Sequence, residues 1–126
     1  MSNDGTVTLY ELLGERRIQR LVDAFYERVY SDATLLPIFE NTVMEEVKDK
    51  QFRFLCQFLG GPQHYSLKYG HPRMRMRHMP HRIDADAKDA WLACMKEAIQ
   101  TLDIQDELKE ALYNCFPQVA QHMVNS

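Results

Sequence analysis

The sequence has no surplus of positive charge: 15 Lys and Arg stand against 18 Asp and Glu, for a net charge of −3. That argues against non-specific binding to nucleic acid or anionic lipid, whose footprints normally carry a basic excess. No apolar run approaches the ~20 residues of a membrane span. Met1-Ser2-Asn3-Asp4-Gly5 has neither the basic flank nor the apolar stretch of a signal peptide. Cysteines are few, and Cys56, Cys94 and Cys115 are odd in number, far apart and set in apolar surroundings. They predict reduced, buried thiols and a cytoplasmic setting. Alternating strand patterns are missing, as are Asn-Gly and Asp-Gly hairpin turns, which excludes a sheet protein. What remains is 126 residues, 45% hydrophobic and 26% charged. That is the profile of one globular domain over 1–126, hiding roughly two-thirds of its unfolded surface.

Helical periodicity runs through almost the whole chain. Ile18, Leu21, Val22, Phe25 and Val29 recur at three- and four-residue steps, as one face of an amphipathic helix does. Val47, Phe54, Leu55 and Phe58 repeat the pattern, as do Trp91, Met95, Ala98 and Leu102, and then Leu108, Leu112, Cys115 and Val119. Thr8 with Glu11 and Thr42 with Glu45 fit capping boxes, and Asp84 and Asp103 are candidate N-caps. Pro37 is expected to break the chain after a short turn at Thr34–Leu36, and Gly60-Gly61-Pro62 to end a long helix. The reading is all-α: a short first helix, then helices at roughly 14–30, 42–58, 84–101 and 104–123. Between 60 and 83 it expects mostly loop, with a short helix around Arg73–Arg77; a loop that long in a small domain is commonly functional.

Three features break the apolar pattern. Gln51 lies four residues after Val47 and four before Leu55, within the stripe that faces the core. A buried amide without partners costs on the order of 1–3 kcal/mol, so Gln51 is either a boundary residue or a polar group aimed at a ligand. Tyr26 sits four after Val22 on an inward face, and its hydroxyl needs a partner if buried. The third feature is the run His71–Arg82, which packs four Arg and three His into twelve residues of an acidic chain. A nucleic-acid patch would want interleaved aromatics, which are missing. Zinc held by His64, His71, His78 and His81 matches no standard spacing. An anionic metal cofactor fits better: haem needs an imidazole for its iron and cations for two propionates. Without Cys-x-x-Cys-His it would not be attached covalently in the c-type manner. Trp91 and the methionines Met74, Met76, Met79 and Met95 are either core or cofactor lining.

Phe58-Leu59-Gly60-Gly61-Pro62, Tyr65, Gly70-His71-Pro72, Met76-Arg77-His78-Met79-Pro80 and Asp89-Ala90-Trp91-Leu92 with Cys94-Met95 resemble the group II truncated haemoglobins. Phe25-Tyr26-Glu27-Arg28-Val29 and Leu36-Pro37-Ile38-Phe39 fall where that family has them, and the likeness runs from about Leu9 to Val124. It implies a single truncated globin domain, a two-over-two helical sandwich around non-covalent haem b. By that resemblance His78 is the proximal iron ligand and Arg77 a propionate partner. Tyr26, Gln51 and Trp91 form the distal hydrogen-bonding set, and Phe39 stacks on the porphyrin. Val47 takes a gate position, and Phe54, Leu55, Tyr65 and Met74 line the pocket. Gly14 is what remains of the family's first glycine joint. The stretch Phe39–Gln51 needs a one-residue adjustment, and His81 stands where phenylalanine is frequent.

Three inward donors around one gas predict tight binding and slow release of dioxygen, since a donor there is worth on the order of 1–3 kcal/mol and each 1.4 kcal/mol is tenfold in affinity. A small Val47 leaves a path open and supplies no distal imidazole. The expected function is reversible, high-affinity binding of dioxygen, with nitric oxide and carbon monoxide as further ligands. The alternative is a haem enzyme removing nitric oxide (a dioxygenase) or peroxide, with a separate reductase because none is fused. A haem-free helical binding module is the remaining class. No nucleic-acid or membrane partner is expected, and the protein is read as a monomer or homodimer.

Overall fold

The computed structural model describes residues 7–71 and 83–124, and among them there are helices and no strands. Helix α1 spans Leu9–Val29, α2 Leu36–Phe39, α3 Met44–Phe58, α4 His64–Tyr69, α5 Ala85–Gln100, α6 Asp106–Tyr113 and α7 Pro117–Met123. None of the described helices is long and apolar enough to cross a membrane. The short helix expected around Arg73–Arg77 lies outside the described residues.

The Thr8 capping box forms as expected: its hydroxyl accepts from the Glu11 amide, and the Glu11 carboxylate reaches back to the Thr8 amide. At Gly14 the backbone leaves the helix (φ 78°, ψ 157°), so α1 is a one-turn piece kinked against a long one. That left-handed φ suits glycine, which has no Cβ to clash there. Beyond the kink, Ile18, Leu21, Val22, Phe25 and Val29 are all fully buried, as their spacing requires. Helix α1 packs on α3 and α5; α4 lies against α3, and α6 and α7 against α5. The core sits where α1 crosses α5. Phe25 meets Trp91 there edge to face, with centroids 5.1 Å apart. Burying such a side chain is worth roughly 1.5–3 kcal/mol.

Several expectations are corrected. The Thr42 capping box does not form: α3 begins at Met44 after Val43, because the Thr42 hydroxyl bonds the Phe39 carbonyl and the Tyr30 hydroxyl instead. Asp103 caps no helix; it pairs with Arg17 at 3.1 Å, and Gln105 precedes α6. Asp84 does cap α5, accepting from the Ala87 amide at 2.9 Å. Pro37 opens a helix rather than breaking one, since proline fits the first turn, where its missing N–H is not needed. The expected helix at 104–123 is two helices, because Pro117 cannot donate to the carbonyl four residues back and crowds it. Part of the expected loop, His64–Tyr69, is helical. Cys56 and Cys94 are buried free thiols, but Cys115 is half-exposed.

Tight joints hold the chain ends of these helices together. The Tyr10 amide donates to the Leu59 carbonyl at 3.0 Å, docking the one-turn piece onto the end of α3. A Cβ on Gly61 would stand 2.5 Å from the Tyr10 ring, so only glycine allows that approach.

Candidate functional site

A cavity of about 430 Å³ lies between α1, α3, α5 and α7. Its walls are chiefly apolar. Phe54 and Phe58, one helical turn apart on α3, stack with ring planes 17° apart; Val47 continues their row, and Val119 and Phe116 face the space from the C-terminal segment. Phe39 and Ile38 of α2 close one end, and Tyr65 of α4 packs its ring edge-on to Phe54.

Into this apolar space point three polar side chains from three helices: Tyr26 of α1, Gln51 of α3 and Trp91 of α5. The Tyr26 ring is clamped edge-to-face by Phe25 at 4.9 Å and Phe39 at 5.9 Å, and the residue is 4% exposed. Burial, with Tyr30 nearby, pushes its pKa well above the ordinary tyrosine value, so the phenol is a neutral donor at physiological pH. None of the three hydrogen-bonds a described residue. No buried side-chain nitrogen or oxygen among the described residues is sealed off as an orphan, so these free polar atoms are reachable from the cavity they line. Three polar side chains from three helices, with no hydrogen-bond partner among the described residues, thus converge on one pocket.

The remaining sequence-derived candidates divide. Phe39, Val47, Phe54 and Tyr65 line the cavity with the polar trio. Leu55 does not: one residue past Phe54 is about 100° around the helix, and Leu55 is fully buried in the core behind the cavity wall. Met74, Arg77 and His78 lie outside the described residues, though Ile83, just after that segment, lines the cavity. Sequence reasoning missed the wall residues Leu35, Ile38, Ile83 and Phe116, and treated Phe58 and Val119 only as core. Their apolar periodicity carried the signal, but core and cavity lining share one pattern. It also missed Lys50 and Lys88, two cations on the cavity wall. Lys88 donates to Gln121 of α7 at 2.9 Å, and the Lys50 Nζ lies 5.5 Å from the Tyr69 ring centroid. A lysine on a helix usually marks a solvated face, so neither could be singled out from sequence.

The sequence profile of the bacterial-like globins matches residues 8–125. The group 2 truncated haemoglobin YjbI of Bacillus subtilis is 45% identical over 116 residues, covering 92% of this chain and 87% of its own. The group 2 truncated haemoglobin 3-1 of Lotus japonicus is 36% identical over 119 residues, covering 92% of this chain and 71% of its own. Among solved structures, the group II truncated haemoglobin of Bacillus anthracis superposes with a TM-score of 0.90 at 38% identity, covering 96% of this chain and 98% of that one. A truncated oxygen-avid haemoglobin from Bacillus subtilis does so with a TM-score of 0.88 at 44% identity, covering 94% and 100%.

Proposed function

The chain belongs to the bacterial-like globins, with the two-over-two helical fold of the truncated haemoglobins, and from that premise we propose that it binds dioxygen reversibly and with high affinity on haem b. Haem b, held non-covalently, is the cofactor of this family, and the cavity's chemistry suits it. Phenylalanine faces and aliphatic side chains suit a flat apolar macrocycle, and the volume falls within the ~300–1,000 Å³ of small-molecule pockets. Lys50 and Lys88 offer positive charge on the wall where an anionic group could be met. When bound, haem supplies the iron at which a diatomic gas is held. His78 is proposed as the protein's ligand to that iron and Arg77 as a propionate partner, both by family resemblance.

The chain's own contribution is the polar trio. Tyr26 O–H, the Gln51 amide and the Trp91 N–H are donors on the cavity wall, and aromatic neighbours hold the Tyr26 and Trp91 rings before any ligand arrives. A ligand that gathers negative charge gains from them without reorganising the protein. In a low-dielectric pocket such donors act more strongly than in water. Val47, small and on the cavity wall, leaves a path for the gas. A Bacillus subtilis relative described as oxygen-avid supports the same reading of affinity. The observation that carries the proposal is the convergence on one apolar cavity of three donors that have no partner among the described residues. Nitric oxide and carbon monoxide belong to the same class of ligand, and one domain over 1–126 suffices for all of them.

The test is spectroscopic. Purified protein supplied with haem should bind one haem per chain, with a sharp Soret band that shifts on reduction and again with carbon monoxide. Dioxygen release from the reduced protein should be slow, and faster when a donor is removed. Failure to retain stoichiometric haem overturns the proposal. Sustained consumption of nitric oxide or peroxide with an added reductase would move the protein from gas binding to enzymatic detoxification.

A further inference from the structure

Away from the cavity, three chemically distinct side chains from three helices come together. Glu15 lies just past the α1 kink, Cys56 on the face of α3 turned away from the cavity, and His64 at the start of α4. The Glu15 carboxylate, the Cys56 sulfur and a His64 ring nitrogen all lie within 4.8 Å of one another, the one such grouping among the described residues. His64 Nε2 stands 3.0 Å from Glu15 Oε2, and the Tyr10 hydroxyl donates to that same oxygen. Cys56 is fully buried, whereas the His64 and Glu15 side chains are 31% and 44% exposed. Nothing in gas binding uses these residues.

We propose that Glu15, Cys56 and His64 form a binding site for a zinc ion, separate from the haem cavity and independent of the function proposed above. The donor set points to that metal: a thiolate, an imidazole and a carboxylate are zinc's three protein ligand types, and three of them leave a fourth position for water. Zn–S of about 2.3 Å and Zn–N of about 2.0 Å at tetrahedral angles put ligand atoms roughly 3.5 Å apart. From separations within 4.8 Å the groups need close by only about an ångström. The partly exposed Glu15 and His64 can move that far on their rotamers while Cys56 stays in place.

The charges balance as well. Glu15 is already ionised, its pKa lowered first by the Tyr10 hydrogen bond and then by His64. His64 exchanges its contact with Glu15 for the metal, using the lone pair of Nε2. Cys56 gives its proton to solvent. Its pKa is pushed up to about 12 by burial and by the charge of Glu15, so the metal must drive that loss. One dication then meets one thiolate and one carboxylate, and the cluster is neutral. Tyr10 remains bonded to Glu15 and orients it, as outer groups commonly do around ligands. The ion would join the α1 kink, α3 and α4 beside the close Tyr10–Gly61 contact.

The experiment is a zinc titration of the haem-loaded protein against a chromophoric chelator, with pH recorded in weakly buffered solution. The expected result is one zinc per chain at micromolar metal, with about one proton released as Cys56 ionises. His64→Gln, a substitution at the surface, should weaken binding at least tenfold, and Cys56→Ala should abolish the proton release. Tyr10→Phe should cost about tenfold through the lost orienting bond, while His122→Gln leaves binding unchanged. With cadmium in place of zinc, a thiolate-to-metal charge-transfer band should appear in the difference spectrum and vanish in Cys56→Ala. Absence of micromolar binding, or binding untouched by His64→Gln and Cys56→Ala alike, overturns the proposal.

Discussion

Replacing Tyr26 by phenylalanine removes one hydroxyl and keeps the ring that Phe25 and Phe39 clamp. The hydroxyl bonds no described residue, so its removal leaves none of those residues without a partner. Its worth lies in what it donates to. A hydrogen bond to a charged group contributes about 1.5–3 kcal/mol, and each 1.4 kcal/mol is about tenfold. Tyr26→Phe should therefore speed dioxygen release by about 10- to 150-fold. The low end is expected because Gln51 and Trp91 line the same cavity and take up part of the loss. Stability should not follow. The hydroxyl is reachable from the cavity and is not a sealed orphan, so removing it costs the fold little and the haem-free variant should melt close to the wild-type temperature. The assay is stopped-flow mixing of the dioxygen-loaded protein with dithionite and carbon monoxide, paired with a thermal melt of the haem-free protein. An unchanged release rate together with a melting temperature several degrees lower would refute the reasoning. It would make Tyr26 a structural residue whose hydroxyl serves the fold.

Further outcomes are expected at other positions. His78→Ala should lose stoichiometric haem, read from the Soret-to-protein absorbance ratio, while His71→Ala and His81→Ala retain it; the reverse pattern would show the wrong histidine was assigned. Gly61→Ala forces a Cβ to within 2.5 Å of the Tyr10 ring and should destabilise by about 1–3 kcal/mol in a urea melt; a neutral result would mean that the N-terminal turn is not held there. Asp49 is desolvated, which raises its pKa, but hydrogen bonds from Tyr69, Lys68 and Arg53 outweigh this and hold it at about 2. Its folded value thus lies below the unfolded one, so its stabilisation is present above about pH 4 and lost as pH falls through about 2. Asp49→Asn should accordingly lose less stability than wild type over that acid range, and parallel curves would remove Asp49 from the acid transition.

Much of this molecule is legible as local chemistry. The three- and four-residue recurrence from Ile18 to Val29 says which face of α1 is buried, because a 3.6-residue turn brings those positions together whatever lies opposite. Thr8 and Asp84 cap as their sequence contexts require, since each needs only an amide three residues ahead. Thr42 and Asp103 have equally good local contexts and do not cap. The Phe39 carbonyl three residues back and the Tyr30 hydroxyl of α1 take Thr42, and an arginine from α1 takes Asp103, so competing partners claim both. Pro117 was a local signal as plain as the others; the helical periodicity running through it masked the break.

Local sequence pattern established that the chain is helical and where α1, α3 and α5 lie, but not the bounds of α2, α4, α6 and α7. It also marked Tyr26, Gln51 and Trp91 as polar groups on inward faces, because each of these properties depends on neighbours along the chain. Helix packing brings those three to one cavity, puts Phe54 on its wall with Leu55 behind it, and sets Lys50 and Lys88 on the same wall. It alone brought Glu15, Cys56 and His64, far apart in the chain, within reach of one ion. The physical reason is that periodicity assigns a side chain to a face. The distance between two faces is set by how whole helices pack, and hydrogen bonds and metal ligation depend on that distance to within an ångström.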